Sequence, residues 1–201
     1  MKIINSNIIL NISEGNLIKL NLGAGKDKVQ EYYNVDLIEL PGTDIVADLN
    51  NTLDQIPNSS VEAIYSRGCF EHIKKFTSLI TELHRICVPG ALIKTIVPHF
   101  SNPYYYSDPT HVQQFGLYTM HYFMDEKVQI RRKVPSYYTS ARFELKSIKI
   151  LFYRETLFDK LFDTIFGKII NINIHTQDIY ERRFCYFFPA SQIVYEIKVI
   201  K

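Results

Sequence analysis

The stretch LNLGAGKDK, Leu20 to Lys28, decides how the rest of the chain is read. Its apolar start completes a short strand, LIKLNLG (Leu17 to Gly23), and a second glycine, Gly25, follows at once. Lacking a Cβ, Gly23 and Gly25 permit a tight turn and let a ligand approach the backbone. A G-x-G pair alone suits a plain strand-to-helix turn equally well, so its surroundings matter. Asp36 lies near the end of a second strand, YNVDLI (Tyr33 to Ile38), where a carboxylate can accept both hydroxyls of a ribose. Asp48 and Leu49 close a third strand, DIVADL (Asp44 to Leu49), and suit the edge and face of an adenine. The full G-x-G-x-x-G of dinucleotide sites is absent, because Lys28 stands at the third glycine. No basic residue closely follows Asp36 to favour a second phosphate. A single nucleoside without phosphates fits better.

Outward from this turn, strands alternate with helical patterns. VEAIYSRG (Val61 to Gly68) reads as a fourth strand. A helix is expected over His72 to Cys87, where Phe76, Leu79, Ile80, Leu83 and Ile86 fall on one face, and Pro89-Gly90 should end it. ALIKTIVP (Ala91 to Pro98) is a fifth strand, FELKSIKILF (Phe143 to Phe152) a sixth and QIVYEIKVI (Gln192 to Ile200) the last. Such interleaving predicts an α/β fold with a mostly parallel sheet covered on both faces. Ligands of open sheets gather at the carboxyl ends of the strands, which puts the loop after strand five on the binding rim.

Composition removes several function classes. The chain has 201 residues, enough for one α/β domain spanning 1–201. Net charge is +2 and the longest basic run is Arg131-Arg132-Lys133, so no nucleic-acid partner is expected. Cys69, Cys87 and Cys185 show no C-x-x-C spacing and read as reduced, mostly buried thiols of a cytosolic protein. The start, MKIINSNIILNISEGN, makes a poor signal peptide, and no apolar run approaches the roughly eighteen residues of a membrane span. A soluble, cytoplasmic protein with no transmembrane segment is expected.

The spacing of short motifs carries a family resemblance. LNLGAG is followed by NVD at 34–36, DLN at 48–50, EH at 71–72, VPGA at 88–91, VPHF at 97–100 and DPTH at 108–111, and the chain closes with YERRFCYFFPAS, Tyr180 to Ser191. In these motifs it resembles class I S-adenosylmethionine-dependent methyltransferases, most closely small bacterial members. The resemblance covers most of residues 18–123 and resumes near 180. It implies a Rossmann-like three-layer sandwich with a seven-stranded sheet and the last strand antiparallel, and S-adenosyl-L-methionine as cofactor. By resemblance Gly23, Ala24 and Gly25 line the methionine and ribose part, and Asp36, with Leu37 beside it, holds the ribose. Asp48 and Leu49 flank the adenine, while Ser66, Arg67 and Gly68 face the methionine end. Asn21 belongs to the same cofactor set but stands where many class I enzymes carry an acid, Ala24 replaces a frequent cysteine, and Ala91 the second glycine of P-G-G. The short gap from Gly25 to Asp36 leaves the first helix truncated or missing.

The loop PHFSNPYYYSDPTHVQQF, Pro98 to Phe115, opens a substrate-side segment, 98–118, with neither helical nor alternating periodicity. Methyl transfer to a hydroxyl needs alignment, exclusion of water and removal of a proton. His99 is the first candidate for general base, since imidazole titrates near neutrality. Asp108 and His111 orient it, bind substrate or take the base role themselves. Tyr104, Tyr105 and Tyr106 are candidates for a wall or lid of the acceptor site, or simply packing surface. Asp108 also suits a turn or cap before Pro109. His72 is placed with the substrate-binding set, although a helix start explains it equally well. His99, Asp108 and His111 could also ligate a metal, but their spacing matches no closed zinc pattern and no cysteine lies near in sequence, so no metal is expected.

A second insert, 155–190, begins with ETLFDKLFDTIFGKIIN, Glu155 to Asn171, whose Leu157, Phe158, Leu161, Phe162, Ile165, Phe166, Ile169 and Ile170 give a broad apolar helix face. Packing on the sheet or over the acceptor pocket is the first reading of this face; a homodimer contact or a membrane-surface face are the others. The expected activity is methyl transfer to a small polar acceptor, favoured as a hydroxyl of a sugar or surface-polysaccharide precursor. A nucleoside-binding partner subunit without catalysis and a nicotinamide-dependent oxidoreductase are the alternatives.

Overall fold

The computed structural model describes residues 1–201. Eight strands form one sheet: β1 (Lys2–Ile3), β2 (Ile18–Leu22), β3 (Tyr33–Asp36), β4 (Ile45–Val46), β5 (Val61–Arg67), β6 (Cys87–Pro98), β7 (Arg142–Leu151) and β8 (Gln192–Ile200). Their spatial order is β1-β4-β3-β2-β5-β6-β8-β7. The pairs from β4 through β6 are parallel, β8 runs antiparallel between β6 and β7, and the two-residue β1 adds an antiparallel edge. The sheet is thus mostly parallel with its last strand antiparallel, as the sequence implies, with β1 as an eighth strand beyond the expected seven.

Five α-helical segments accompany it: α1 (Asn7–Ser13), α2 (Phe76–Ile86), α3 (Leu157–Phe162), α4 (Lys168–Ile170) and α5 (Ile174–Arg183). α2 buries Phe76, Leu79, Ile80, Leu83 and Ile86, the face its periodicity predicts. It ends at Ile86 and β6 starts at once, so Pro89-Gly90 lies inside the irregular start of the strand. No helix joins β2 to β3; residues 23–32 form turns only.

Strand alternation sorts the sheet into two unlike faces. Leu20, Ile64, Ile93 and Ile197 are in register across four strands, as are Leu22, Ser66, Thr95 and Tyr195, and all eight are buried. This face carries the core. The opposite rows hold Lys19, Tyr65, Lys94, Glu196 and an exposed Leu92, with surface ion pairs from Lys19 to Glu62 at 3.9 Å and from Lys94 to Glu196 at 3.2 Å. The connections 23–32 and 47–60 contain no helix to lay over the second face, which meets solvent across its centre with charged side chains.

The expected continuous helix over 155–171 is interrupted by a wider turn at Asp163–Gly167. Its apolar face is also not packed on the sheet. Phe162 and Ile170 reach the core, but Leu157 and Phe158 are 85% and 68% exposed, and Phe158 and Leu161 with α5 border an apolar groove of about 570 Å³. No helix is long and apolar enough to cross a membrane.

Candidate active site

β2 stands at the centre of the parallel strands, with β3 on one side and β5 on the other. A crevice opens at the carboxyl ends of strands where the chain order reverses like this. Here it is a cleft of about 700 Å³, walled by Gly23, Gly25, Asp36, Leu37, Ala47–Asn50, Gly68, Cys69, His72–Lys74, Pro109, Thr110 and Val112. That volume suits a small molecule.

The glycine turn is built for its place. Gly23 has φ +66° and a Cβ there would lie 2.5 Å from Cys69 Cβ and 2.6 Å from its Sγ, so β2 and the turn after β5 meet only through a glycine. Gly25 has φ +48° and open space where a Cβ would stand, so its Cα edge faces the cleft. Its N–H donates to Asp36 Oδ2 at 2.7 Å, and Asp36 Oδ1 accepts the Ile38 N–H at 3.3 Å. These bonds fix one acidic group on the cleft wall with lone pairs to spare. Asp48 accepts the backbone N–H of Asn50 at 2.9 Å and the side-chain amides of Asn50 and Asn51 at 3.0 and 3.2 Å. The two bonds from Asn50 hold its carboxyl below the ordinary range, so it is anionic.

At the other end of the cleft a polar cluster joins the turn after β5 to the loop after β6. Glu71 is only 2% exposed, and burial pushes its carboxyl up to about 7. Its Oε2 is buried with no hydrogen-bond partner. Its backbone carbonyl accepts the N–H groups of Val112 at 2.8 Å and Gln113 at 3.1 Å, which ties the two segments together. His111 Nδ1 lies 2.8 Å from the Tyr105 carbonyl oxygen. A carbonyl only accepts, so Nδ1 carries the proton and Nε2 keeps its lone pair. Thr110 Oγ1 donates its one hydrogen to Asp108 Oδ1 at 2.6 Å; it therefore accepts from His72 Nδ1 at 2.9 Å, and in the neutral ring Nε2 of His72 likewise keeps the lone pair. Thr110's side-chain and backbone bonds hold the Asp108 carboxyl below its usual range. The His72 and His111 rings are 4.8 Å apart, and Tyr105 stacks on His111 at 4.8 Å. The cluster offers two imidazole lone pairs and a buried carboxyl, groups able to take up a proton or ligate a cation.

No protein-family model matches the chain, and no curated protein is significantly similar to it in sequence. Solved structures are similar in fold. A SAM-dependent methyltransferase from Archaeoglobus fulgidus superposes with a TM-score of 0.56 at 16% identity, covering 96% of this chain and 91% of that one. The fold is that of class I S-adenosylmethionine-dependent methyltransferases. An S-adenosylmethionine-dependent methyltransferase from Mesorhizobium loti superposes at 0.50 with 14% identity, covering 90% of each chain. Phosphoethanolamine N-methyltransferase 2 from Haemonchus contortus, solved with S-adenosyl-L-methionine, superposes at 0.51 with 13% identity, over 97% of this chain and 52% of that one.

Within this methyltransferase fold the expected site residues separate into two groups. Gly23, Gly25, Asp36, Leu37, Asp48, Leu49, Gly68 and His72 line the cleft, and His111 and Asp108 stand beside it through Thr110. Asn21, Ala24, Ser66 and Arg67 do not line it. Asn21 is buried and its amide donates to Asp27 O and Asn34 Oδ1, both at 2.9 Å, so it braces the glycine turn from behind. Ser66 points into the core face, Ala24 is buried, and Arg67 is exposed.

His99 is the main correction. It is fully buried: Nδ1 accepts the Ser101 N–H at 3.1 Å, and Nε2 therefore donates to Glu181 Oε1 at 3.1 Å. It continues the buried rows of β6, so the chain aims it at α5 and not at the cleft. The tyrosine wall is also redrawn. Tyr105 backs His111, Tyr104 packs edge-on against Tyr153, and Tyr106 donates to the Phe100 carbonyl at 3.1 Å. Pro109, Thr110 and Val112 form the wall instead. Glu71 and Cys69 were missed by sequence reasoning. For Glu71 the available signal was its place in the EH pair beside His72; Cys69 offered none, because its role is to meet Gly23 in space.

Proposed function

We propose that the protein is a methyltransferase using S-adenosyl-L-methionine and acting on a small polar acceptor, a hydroxyl of a sugar or surface-polysaccharide precursor, in the cytoplasm. The supporting observation is the pairing of the glycine turn with Asp36. The Gly25 amide orients the carboxylate at the cleft wall, on the strand end where a ribose diol is bound in this kind of sheet. Asp36 would hold the ribose hydroxyls, Asp48 and Leu49 the adenine, and the open side of Gly25 the part between them. The cofactor supplies an activated methyl group on sulfonium. The chain's task is to align the acceptor, exclude water and receive the hydroxyl proton. His111 Nε2, with its lone pair set by the Tyr105 carbonyl, is the base, and Asp108, through Thr110, positions His72 beside it. The sugar acceptor rests on family analogy.

The test is release of S-adenosylhomocysteine in a screen of nucleotide sugars. Turnover in the wild type and its loss in His111→Ala supports the assignment. Binding of cofactor without release for any acceptor points to a non-catalytic nucleoside-binding subunit. Binding of a nicotinamide cofactor in its place points to an oxidoreductase.

A further inference from the structure

The cluster at the acceptor end of the cleft has more unused ligand capacity than proton transfer requires. One ligand atom from each of Glu71, His72 and His111 lies within 4.8 Å of the others. Each imidazole donates its Nδ1–H to a fixed oxygen, Tyr105 O for His111 and Thr110 Oγ1 for His72, and each keeps its Nε2 lone pair. A hydrogen bond of this kind from the second ring nitrogen is how ligating histidines are oriented in metal sites. Glu71 Oε2 is the independent observation. A carboxyl oxygen buried with no hydrogen-bond partner is costly to keep, and a cation would satisfy it. Asp108 Oδ2, 3.7 Å from His111 Nε2, adds a second negative charge to the cluster's edge.

We propose that Glu71, His72 and His111 bind one divalent transition-metal ion, with at least one coordination position open to the cleft. Two imidazoles and one carboxylate suit zinc, iron(II) or manganese in preference to magnesium, which favours an all-oxygen shell. Thiolate plays no part, since the ligand atoms that lie together come from Glu71, His72 and His111 and not from Cys69. Because His72 lines the cleft, an oxygen of the acceptor can reach the open position. A hydroxyl held there would lose its proton more easily and, with the ion on His111 Nε2, would pass it to Asp108 in place of His111, which narrows the acceptor to an oxygen nucleophile. That last step rests on the methyltransferase proposal; the metal site does not.

The test uses untagged full-length protein, stripped with a chelator and titrated with Zn²⁺ and Co²⁺, with binding followed calorimetrically and cobalt ligation by its visible absorption. The wild type should bind one ion. His72→Ala, His111→Ala and Glu71→Gln should each weaken binding by at least about tenfold, the size of effect seen for outer-shell partners alone. Circular dichroism and the urea-denaturation midpoint, measured on the same samples, show that each variant is folded. If Glu71→Gln does not fold, the two histidine variants decide. No stoichiometric binding by the wild type, or binding unaltered in both histidine variants, overturns the site. Metal binding without S-adenosylhomocysteine binding would keep the metal site and sink the methyltransferase proposal.

Discussion

Replacing Gly23 and Gly25 separately by alanine should give opposite results. At Gly23 the new Cβ meets Cys69 Cβ at 2.5 Å, a contact that rotating the thiol cannot relieve because it involves the fixed Cβ. Alanine at φ +66° costs about 1–2 kcal/mol for the left-handed backbone. Overpacking adds about 1–3 kcal/mol as β2 and the turn after β5 are pushed apart. Gly23→Ala should therefore lose about 2–5 kcal/mol of folding stability in urea denaturation. At Gly25 only the backbone part applies, about 1–2 kcal/mol, since nothing lies within 4 Å of the added methyl. Its methyl instead projects into the cleft, so Gly25→Ala should weaken S-adenosylhomocysteine binding while folding almost normally. The double variant Gly23→Ala/Cys69→Gly removes the clashing Cβ and should recover the overpacking share, a coupling of about 1–3 kcal/mol. A Gly23→Ala protein within about 0.5 kcal/mol of wild type, or no coupling to Cys69, would refute the packing described here.

Further outcomes follow from the same geometry. His99→Ala should cost about 2–4 kcal/mol in urea denaturation, by opening a cavity and leaving Glu181 Oε1 with only the Leu117 N–H, and leave S-adenosylhomocysteine affinity unchanged. His111→Ala should lower kcat by about 10²–10⁴ in the acceptor assay with cofactor binding retained. Arg85 holds the Glu82 carboxyl below the ordinary glutamate range, aided by the Leu53 N–H. Its folded value is depressed, so its stabilisation is present above the unfolded value and fades as pH falls through the folded one; Glu82→Gln should flatten the acid limb of a stability-against-pH curve. Cys69 and Cys87 are buried with thiols raised to about 12, so at pH 8 a thiol reagent should label the native protein only as fast as it unfolds, read by mass spectrometry.

The strands were legible because apolar runs ended in glycine, proline or aspartate, and α2 because five apolar residues repeat at helical spacing. The missing helix after β2 followed from the ten or so residues between Gly25 and Asp36. What the sequence hid depends on spatial neighbours. Lys94 and Lys198 read as ordinary polar alternation, and nothing local says that no helix lies over them. His99 looked catalytic from its place after β6, but strand alternation turns it inward toward Glu181. Glu71 is an unremarkable acid in the chain and a buried, unpartnered one in the fold. The helix from Glu155 breaks near Gly167, where Asp163 Oδ1 lies 2.7 Å from where a Cβ would stand, a contact that apolar periodicity does not encode.

The most direct test of the cofactor site is calorimetric titration of the purified protein with S-adenosylhomocysteine beside Asp36→Ala, with folding of both checked by circular dichroism. The wild type should bind one equivalent. Loss of hydrogen bonds from a ribose diol to a charged group should weaken the variant by about 1.5–3 kcal/mol, or about 10–150-fold. A folded wild type that takes up no S-adenosylhomocysteine, or an Asp36→Ala variant that binds it equally well, would contradict the account.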